Sequence, residues 1–378
     1  MIINNLSLTN FRNYTKLDLD FGQVNILVGP NATGKTNILE AIYFLSRTNS
    51  PRLHYQKDLI KYNNNFFRLA ALVISGSRKL NLETSLEIKN REICETKLKI
   101  NKKMRKTSEF ISQLKAVFFL PSEISLIDSS PAHKRAYFNN LLIQTRPLFY
   151  QTLIRLNKII YSRNRLLENI KNRKARENEL LFWDQELVLC GISIFLYRRQ
   201  VVSFINRIID SIYKNLTLTS DKLSILYQPF LSDAKNLSQK VMEKKYQEEL
   251  LKLKNEEIKQ ACSLLGPHRD NFIFKIGAKS LALFGSRGEF REAVLALKLS
   301  EGKLIEKVAE DKPILLLDDV ASELDNQRKD YLFNFLKKYI AADGQVFITT
   351  TLLDNINQEI LDRAKIFKVG KGTVCLSN

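Results

Sequence analysis

Residues 29 to 36 read Gly29, Pro30, Asn31, Ala32, Thr33, Gly34, Lys35 and Thr36, a GxxxxGK[ST] pattern. Glycines at both ends free the backbone to turn its N–H groups toward an anion, and the lysine that follows adds a positive charge. Between a strand and a helix, such a loop cradles the phosphates of a nucleoside triphosphate. Lys35 then meets the β and γ phosphates, and the Thr36 hydroxyl is free to ligate Mg2+. A second centre is PILLLDD, Pro313 to Asp319, an apolar run ending in two carboxylates. There Asp318 would hold magnesium and Asp319 would orient an attacking water. The bland alternatives are a glycine turn before a helix and a buried strand whose acids cap the next loop.

The elements around these residues favour the chemical reading. VNILV at Val24 to Val28 is a continuous apolar run, as a fully buried strand requires, and TNILEAIYFLSR at Thr36 to Arg47 carries apolar residues at helical spacing. The order is therefore strand, loop, helix. Period-two alternation between about Phe66 and Ile100 predicts an antiparallel meander, with NKKMRK at 101 to 106 as an exposed basic connection. From about Pro131 to Ala261 the texture turns helical and Lys/Arg/Glu-rich, broken by one strand-like run, LSILYQPF. After it come a helix at about Glu289 to Glu310, the strand ILLLDD, a helix from about Asn326 and the strand QVFITTT. The expected architecture is α/β: a head built from residues 1–128 plus 262–378, with a mostly helical lobe, 129–261, inserted in it.

Hydrophobic residues make up 44% and charged residues 26% of the 378, so the chain folds rather than remaining disordered. A net charge of +19 draws it to polyanions, either nucleic acid or an anionic membrane surface, unless it is merely a solvated surface. Cys94, Cys190, Cys262 and Cys375 are scattered with no CxxC pair, which suggests neither a disulfide framework nor a zinc site and predicts reduced, mostly buried thiols. The N-terminus has no basic segment followed by an apolar core. The longest unbroken apolar run, near Leu187 to Tyr197, is short for a bilayer, so the expectation is a cytoplasmic protein with no membrane partner. Trp183 reads as a packing anchor. His54, His133 and His268 read as structural rather than catalytic.

Taken in order, NFRNY, GPNATGKTN, GPHRD, FGSRGEFR, ILLLDDVASELD and VFITTT resemble the bacterial RecF family, SMC-like ABC-type P-loop ATPase heads without long coiled coils, over nearly the whole chain. The resemblance implies two heads sandwiching ATP and Mg2+. The signature residues Ser286, Arg287, Gly288 and Glu289 of one copy would then contact the nucleotide of the other, so the chain is expected to form a homodimer with ATP. It makes Ser322, Glu323, Leu324 and Asp325 the D-loop at that seam and puts the switch position within Thr349 to Thr351, threonines where many relatives carry histidine. It also brings Arg12, Asn13 and Asn37 near the nucleotide; for Arg12 and Asn13 a surface turn is the alternative. Glu289, Phe290 and Arg291 depart from the glutamines common after the signature glycine. Asp319, shorter than the glutamate of vigorous ABC ATPases, predicts slow, switch-like hydrolysis. The role of the Gly266 to Asp270 loop is not legible from residue types.

For a DNA partner, single-stranded or gapped, the candidate phosphate contacts are Lys102, Lys103, Arg105 and Lys106 in the meander, and Arg163, Arg165, Lys171, Arg173, Lys174 and Arg176 in the lobe. Taken singly, each reads first as part of a solvated face, and it is the set, with the net charge, that favours DNA. The family likeness further implies a RecR-like mediator and a part in recombinase loading, replication restart and SOS induction. The rival reading is the nucleotide-binding subunit of another ABC-type complex. A transporter subunit places its signature nearer the P-loop than the interval from Lys35 to Ser286, and a nuclease-coupled ATPase is expected to add an acidic domain after the head.

Overall fold

The computed structural model describes all residues except 53–54, 90–92, 112, 232–236 and 378, and the side chains of 93, 94 and 323 also lie outside it. His54 and the Cys94 and Glu323 side chains are therefore among the undescribed parts. The chain divides into two compact units. The first comprises Met1–Ile124, Ser211–Ser220 and Arg291–Asn378, and the second Ser125–Asp210 and Asp221–Phe290.

In the first unit, apolar runs with no alternation become the strands of a buried parallel sheet. In chain order these are β1 (Val24–Val28), β2 (Ala116–Phe119), β3 (Ile314–Asp318), β4 (Val346–Thr350), β5 (Ala364–Val369) and β6 (Val374–Leu376). Their spatial order is β6-β5-β1-β4-β3-β2, with only β6 antiparallel. Every residue of β3 and β4 is buried. Adjacent parallel strands end together, and the register sets Asp318 beside Thr349 and Thr350 beside Val28. The carboxyl ends of β1, β3 and β4 thus form one edge, where an open α/β sheet carries its ligand.

Helix α1 (Lys35–Arg47) leaves that edge with Ile38, Leu39, Ile42 and Leu45 buried at helical spacing. A second, antiparallel sheet orders Tyr14–Asp20, Ile2–Phe11, Phe66–Ser75, Arg78–Lys89, Ile93–Ile100 and Lys103–Met104. This is the expected meander, joined by the N-terminal hairpin, and its alternating Phe67, Leu69, Ala71 and Val73 pack into the same hydrophobic core as α1. The 101–106 connection is exposed as expected, although it pairs briefly as a two-residue strand.

The second unit contains helices α2 (Pro131–Thr145), α3 (Pro147–Lys171), most of α4 (Leu180–Thr217) and α5 (Gln239–Gln260), with a three-stranded sheet from Leu223–Gln228, Asn271–Ile276 and Lys279–Ser280. Two buried arginines clamp it. Asp270, fully buried, accepts from Arg198 Nη1 (2.5 Å), Tyr227 Oη (2.6 Å) and the Phe230 N–H (2.8 Å), so the Gly266 to Asp270 loop serves this unit as a structural clasp. His268 in that loop approaches the Ser263 carbonyl at 3.0 Å, and burial lowers its pKa, in keeping with a structural histidine. Helix α4 is longer than its unbroken apolar run suggested. By length and composition alone it could cross a membrane, the one such helix among the described residues, yet Leu187, Val188, Ile192, Ile194 and Phe195 are buried within the fold. Cysteines also differ from expectation: Cys190 is buried, but Cys262 is half-buried and Cys375 exposed.

Two further helices carry the last motifs. Helix α6 (Arg287–Ala309) starts in the second unit and continues in the first, and α7 (Asn326–Ala341) follows β3 after a short 3-10 turn, Val320–Glu323.

Candidate nucleotide-binding site

The loop from Gly29 to Gly34 is held open by its own backbone. Gly34 lies at φ +113°, and a Cβ there would sit 2.5 Å from Asn13 Nδ2 and 2.7 Å from Tyr14 Oη. Only glycine tolerates both conditions. Asn13 donates to the Thr33 carbonyl (3.0 Å) and accepts from Asn37 Nδ2 (2.8 Å), so it braces the loop from behind. Lys35 is buried, its ammonium donating to the carbonyls of Gly29 (2.6 Å) and Pro30 (2.8 Å). Burial lowers its pKa, and the nearby carboxylates of Asp319 and Asp318 oppose that shift.

Asp318 ends β3 opposite this loop. Its carboxylate accepts from Thr36 Oγ1 at 2.8 and 3.0 Å and from Thr349 Oγ1 at 2.8 Å. Burial raises its pKa, while the two hydroxyls and Arg52 pull the other way. Asp319 turns left-handed at φ +50° and donates its N–H to Thr349 Oγ1 (2.9 Å). Its Oδ1 is buried with no hydrogen-bond partner among the described residues, an acceptor still unspent. Asn31, Ala32, Gly34, Lys35, Thr36, Asn37, Arg52, Pro121, Asp318, Asp319 and Thr349 together line one cavity of about 320 Å³.

The hydroxyl of Thr36 and the carboxylate of Asp318 are hard oxygen donors within hydrogen-bond reach of each other, a set that suits Mg2+ better than any soft metal. With a triphosphate in the loop, Lys35 and Arg52 supply cations on its flank, and Asp319 has an acceptor free for a water. Arg52 was not visible in the sequence, because no period or motif marks it. The structure holds it through Glu40, a fully buried carboxylate that also accepts from Arg12 Nε (2.9 Å), Arg12 Nη2 (2.7 Å) and Ser50 Oγ (2.6 Å). Arg12 therefore supports the floor behind the cavity and is not among its lining residues, and Asn13 likewise acts through the loop. Thr349, within the Thr349 to Thr351 stretch, bridges the Asp318 carboxylate and the Asp319 N–H through its hydroxyl.

The remaining predicted residues fall elsewhere. Ser286 precedes α6 with Arg287 and Gly288 exposed, and the Glu289 side chain folds back onto Ser286. In the Ser322 to Asp325 segment, Ser322 Oγ donates to the Asp319 carbonyl (2.8 Å) and Asp325 caps α7 through the Arg328 N–H (3.0 Å), with Leu324 buried. Of the candidate DNA contacts, Lys102, Lys103, Arg105, Lys106, Arg165, Lys171, Arg173, Lys174 and Arg176 are exposed. Arg163 must be withdrawn. It is 1% exposed and is spent on Glu257 (2.6 Å), Asp184 (2.8 Å) and Ser263 (2.9 Å), the second of the two buried clamps.

A phosphate loop and a strand-end acid pair on one edge of a parallel sheet, with the Arg287–Ala309 helix between them in the chain, fit an ABC-type, SMC-like P-loop ATPase head. Residues 2–374 match the family described as RecF/RecN/SMC N terminal domain. The DNA replication and repair protein RecF of Agathobacter rectalis is 35% identical over 376 residues, and that of Geobacillus kaustophilus 33% over 377, each alignment covering 99% of both chains. A solved structure of the recombination mediator protein RecF with ATP, in the RecFOR pathway, superimposes with a TM-score of 0.90 at 29% identity, covering 100% of this chain and 97% of that one. An Smc head bound to the C-terminal winged-helix domain of ScpA shares the fold alone, at 15% identity and a TM-score of 0.56. The chain belongs to the RecF family.

Proposed function

We propose that this protein is an ATP-dependent DNA-binding repair factor whose heads, each with the mostly helical lobe inserted, pair around ATP and clamp DNA. The observation that carries the reading is the cavity in which the Gly29 to Thr36 loop, Asp318, Asp319 and Arg52 converge. Backbone N–H groups of the loop and Lys35 bind the phosphates, which requires the ammonium to turn from the Gly29 and Pro30 carbonyls to the triphosphate. Thr36 and Asp318 would hold Mg2+, which neutralises charge on the phosphates when bound. Asp319 orients water through its free oxygen. Because its side chain is a methylene shorter than glutamate, turnover is slow, and ATP acts as a clamp signal rather than as fuel for a motor. Ser286 to Glu289 of one copy and the Ser322 to Asp325 segment complete the sandwich in the other.

DNA meets the exposed lysines and arginines of 102–106 and 165–176 through phosphates, without base reading. Its preferred form is gapped duplex or a single/double-strand junction, and a RecR-like mediator and recombinase loading follow from the family. The protein works in the cytoplasm, where those partners are. The test compares wild type with Lys35→Met for ATP-dependent retention on gapped DNA. Loss of a charge-assisted contact lowers ATP affinity at least about tenfold, and DNA retention falls with it. Equal ATP affinity in the variant would refute the site.

A further inference from the structure

Between α6 and α7 lies a cavity that the nucleotide site does not use. It measures about 250 Å³, is lined entirely by residues of the first unit and shares none of them with the nucleotide cavity. Its apolar lining comes from Phe119 at the end of β2, Leu315 in β3, Leu299 in α6, and Phe335 and Tyr339 one turn apart in α7, whose rings stack at 5.9 Å and 19°. Its charged lining is four lysines and a single acid, Glu306. Two of the lysines are spent. Lys298, buried, donates to Glu123 at 2.7 Å and lies 3.5 Å from Glu301, while Lys312 donates to Glu306 at 2.8 Å and sits over the Tyr339 ring. Lys303 on α6 and Lys338 on α7 are exposed, and neither has a hydrogen-bond or ionic partner among the described residues.

An apolar concavity with one unmatched ammonium on each of two helices selects its occupant by chemistry. The floor receives a bulky apolar group, and the two lysines call for anionic groups set apart from each other along a chain, with their stems lying against its apolar body. A second nucleotide fits poorly. The ammoniums are spread over two helices rather than gathered on one phosphate, and the lining contains no glycine-rich loop that would present backbone N–H groups. Base reading also lacks a partner, because the Tyr339 hydroxyl in the floor already donates to the Pro313 carbonyl. Carboxylates flanking a large apolar side chain match both features.

We propose that this cavity is a docking site for an acidic segment of a partner protein, which seats one bulky apolar side chain against Leu299 and Phe335 and pairs its flanking carboxylates with Lys303 and Lys338. The site is separate from the nucleotide cavity and from the lysines and arginines of 102–106 and 165–176, so it stands whether or not two heads pair around ATP. The apolar anchor supplies most of the hold, and the exposed lysines supply selection for acidic over basic segments.

The experiment follows the fluorescence anisotropy of labelled, terminally blocked pentapeptides with full-length protein. One peptide has phenylalanine between two pairs of glutamates, the second has alanine in its place, and the third has phenylalanine between pairs of lysines. The proteins are wild type, the double variant Lys303→Glu with Lys338→Glu, and the milder pair Lys303→Gln with Lys338→Gln should the first fold poorly. Wild type is expected to bind the acidic phenylalanine peptide, with binding at least about tenfold weaker when alanine replaces the anchor. Reversing the two lysines is expected to weaken it by at least about tenfold as well, to favour the basic peptide instead, and to leave ATP binding unchanged; high salt should shrink the difference between the proteins. No binding of the acidic phenylalanine peptide by wild type overturns the proposal. So does equal binding of the phenylalanine and alanine peptides, or undiminished binding by the lysine variants, since either would reduce the attraction to the net charge of the chain. Loss of gapped-DNA binding in the variants with peptide binding intact would assign the two lysines to DNA and overturn it likewise.

Discussion

At the scale of single residues, the site is a place where the fold accepts cost. Burial raises the folded-state pKa of Asp318 above its unfolded value, so the ionised carboxylate opposes folding at neutral pH. That cost lessens as the pH falls below the raised folded pKa and is gone below the unfolded one. Asp318→Asn keeps an acceptor for Thr36 and Thr349 without the charge, so the nucleotide-free variant is expected to be more stable at pH 7.5 by about 1 kcal/mol, roughly 1–2 °C in Tm. The gain should shrink toward acidic pH, as scanning calorimetry at several pH values would reveal. A variant less stable than wild type at neutral pH would contradict this account of the carboxylate. Thr349 belongs to the same balance. Its proton goes to Asp318 and a lone pair to the Asp319 N–H, so Thr349→Val, equal in shape, removes one of the two hydroxyls that serve Asp318 and leaves the Asp319 N–H without its acceptor. The expected outcome is a loss of about 1–3 kcal/mol in stability and a higher Mg2+ requirement for nucleotide binding, both restored by Thr349→Ser. Unaltered Mg2+ dependence would show that the bridge does not set the acids.

At the scale of elements, legibility followed how local each signal was. The Gly29 to Thr36 loop, the PILLLDD strand and the helices beginning near Thr36 and Asn326 were readable because each is a contiguous pattern with one physical cause. Arg52 and Glu40 were not, since their meeting depends on how the segment after α1 folds back onto that helix. The lobe shows the same limit. Arg163 lies in a basic stretch whose composition suggested a solvated or DNA-facing helix, but charge runs do not reveal which member of the run turns inward. Buried and triply paired, it holds α3, α4 and α5 together. Arg163→Ala should therefore destabilise the protein by about 3–5 kcal/mol, because Glu257 is left buried and unpaired. Lys174→Ala should leave the stability unchanged and slightly weaken DNA binding. Urea titrations of the two variants separate these roles, and matching stabilities would return Arg163 to the surface.

At the scale of the whole molecule, a net charge of +19 and nine exposed candidate phosphate contacts predict that the proposed hold on DNA is mainly electrostatic. Its affinity for gapped DNA should fall by about a thousandfold between 50 and 200 mM salt if six or more phosphates are met; a nearly flat salt series would argue against a backbone-tracking surface. Net charge had left nucleic acid and anionic membrane equally open, and only the ordered motifs separated them. The central claim is that ATP is the joint between two heads, and it is tested most directly by the solution mass of the protein. Light scattering with and without ATP and Mg2+ should show a nucleotide-dependent shift from monomer to dimer that Ser286→Arg abolishes while sparing ATP binding by the monomer. A mass that does not respond to ATP, or a Ser286→Arg variant that dimerises like wild type, would contradict it.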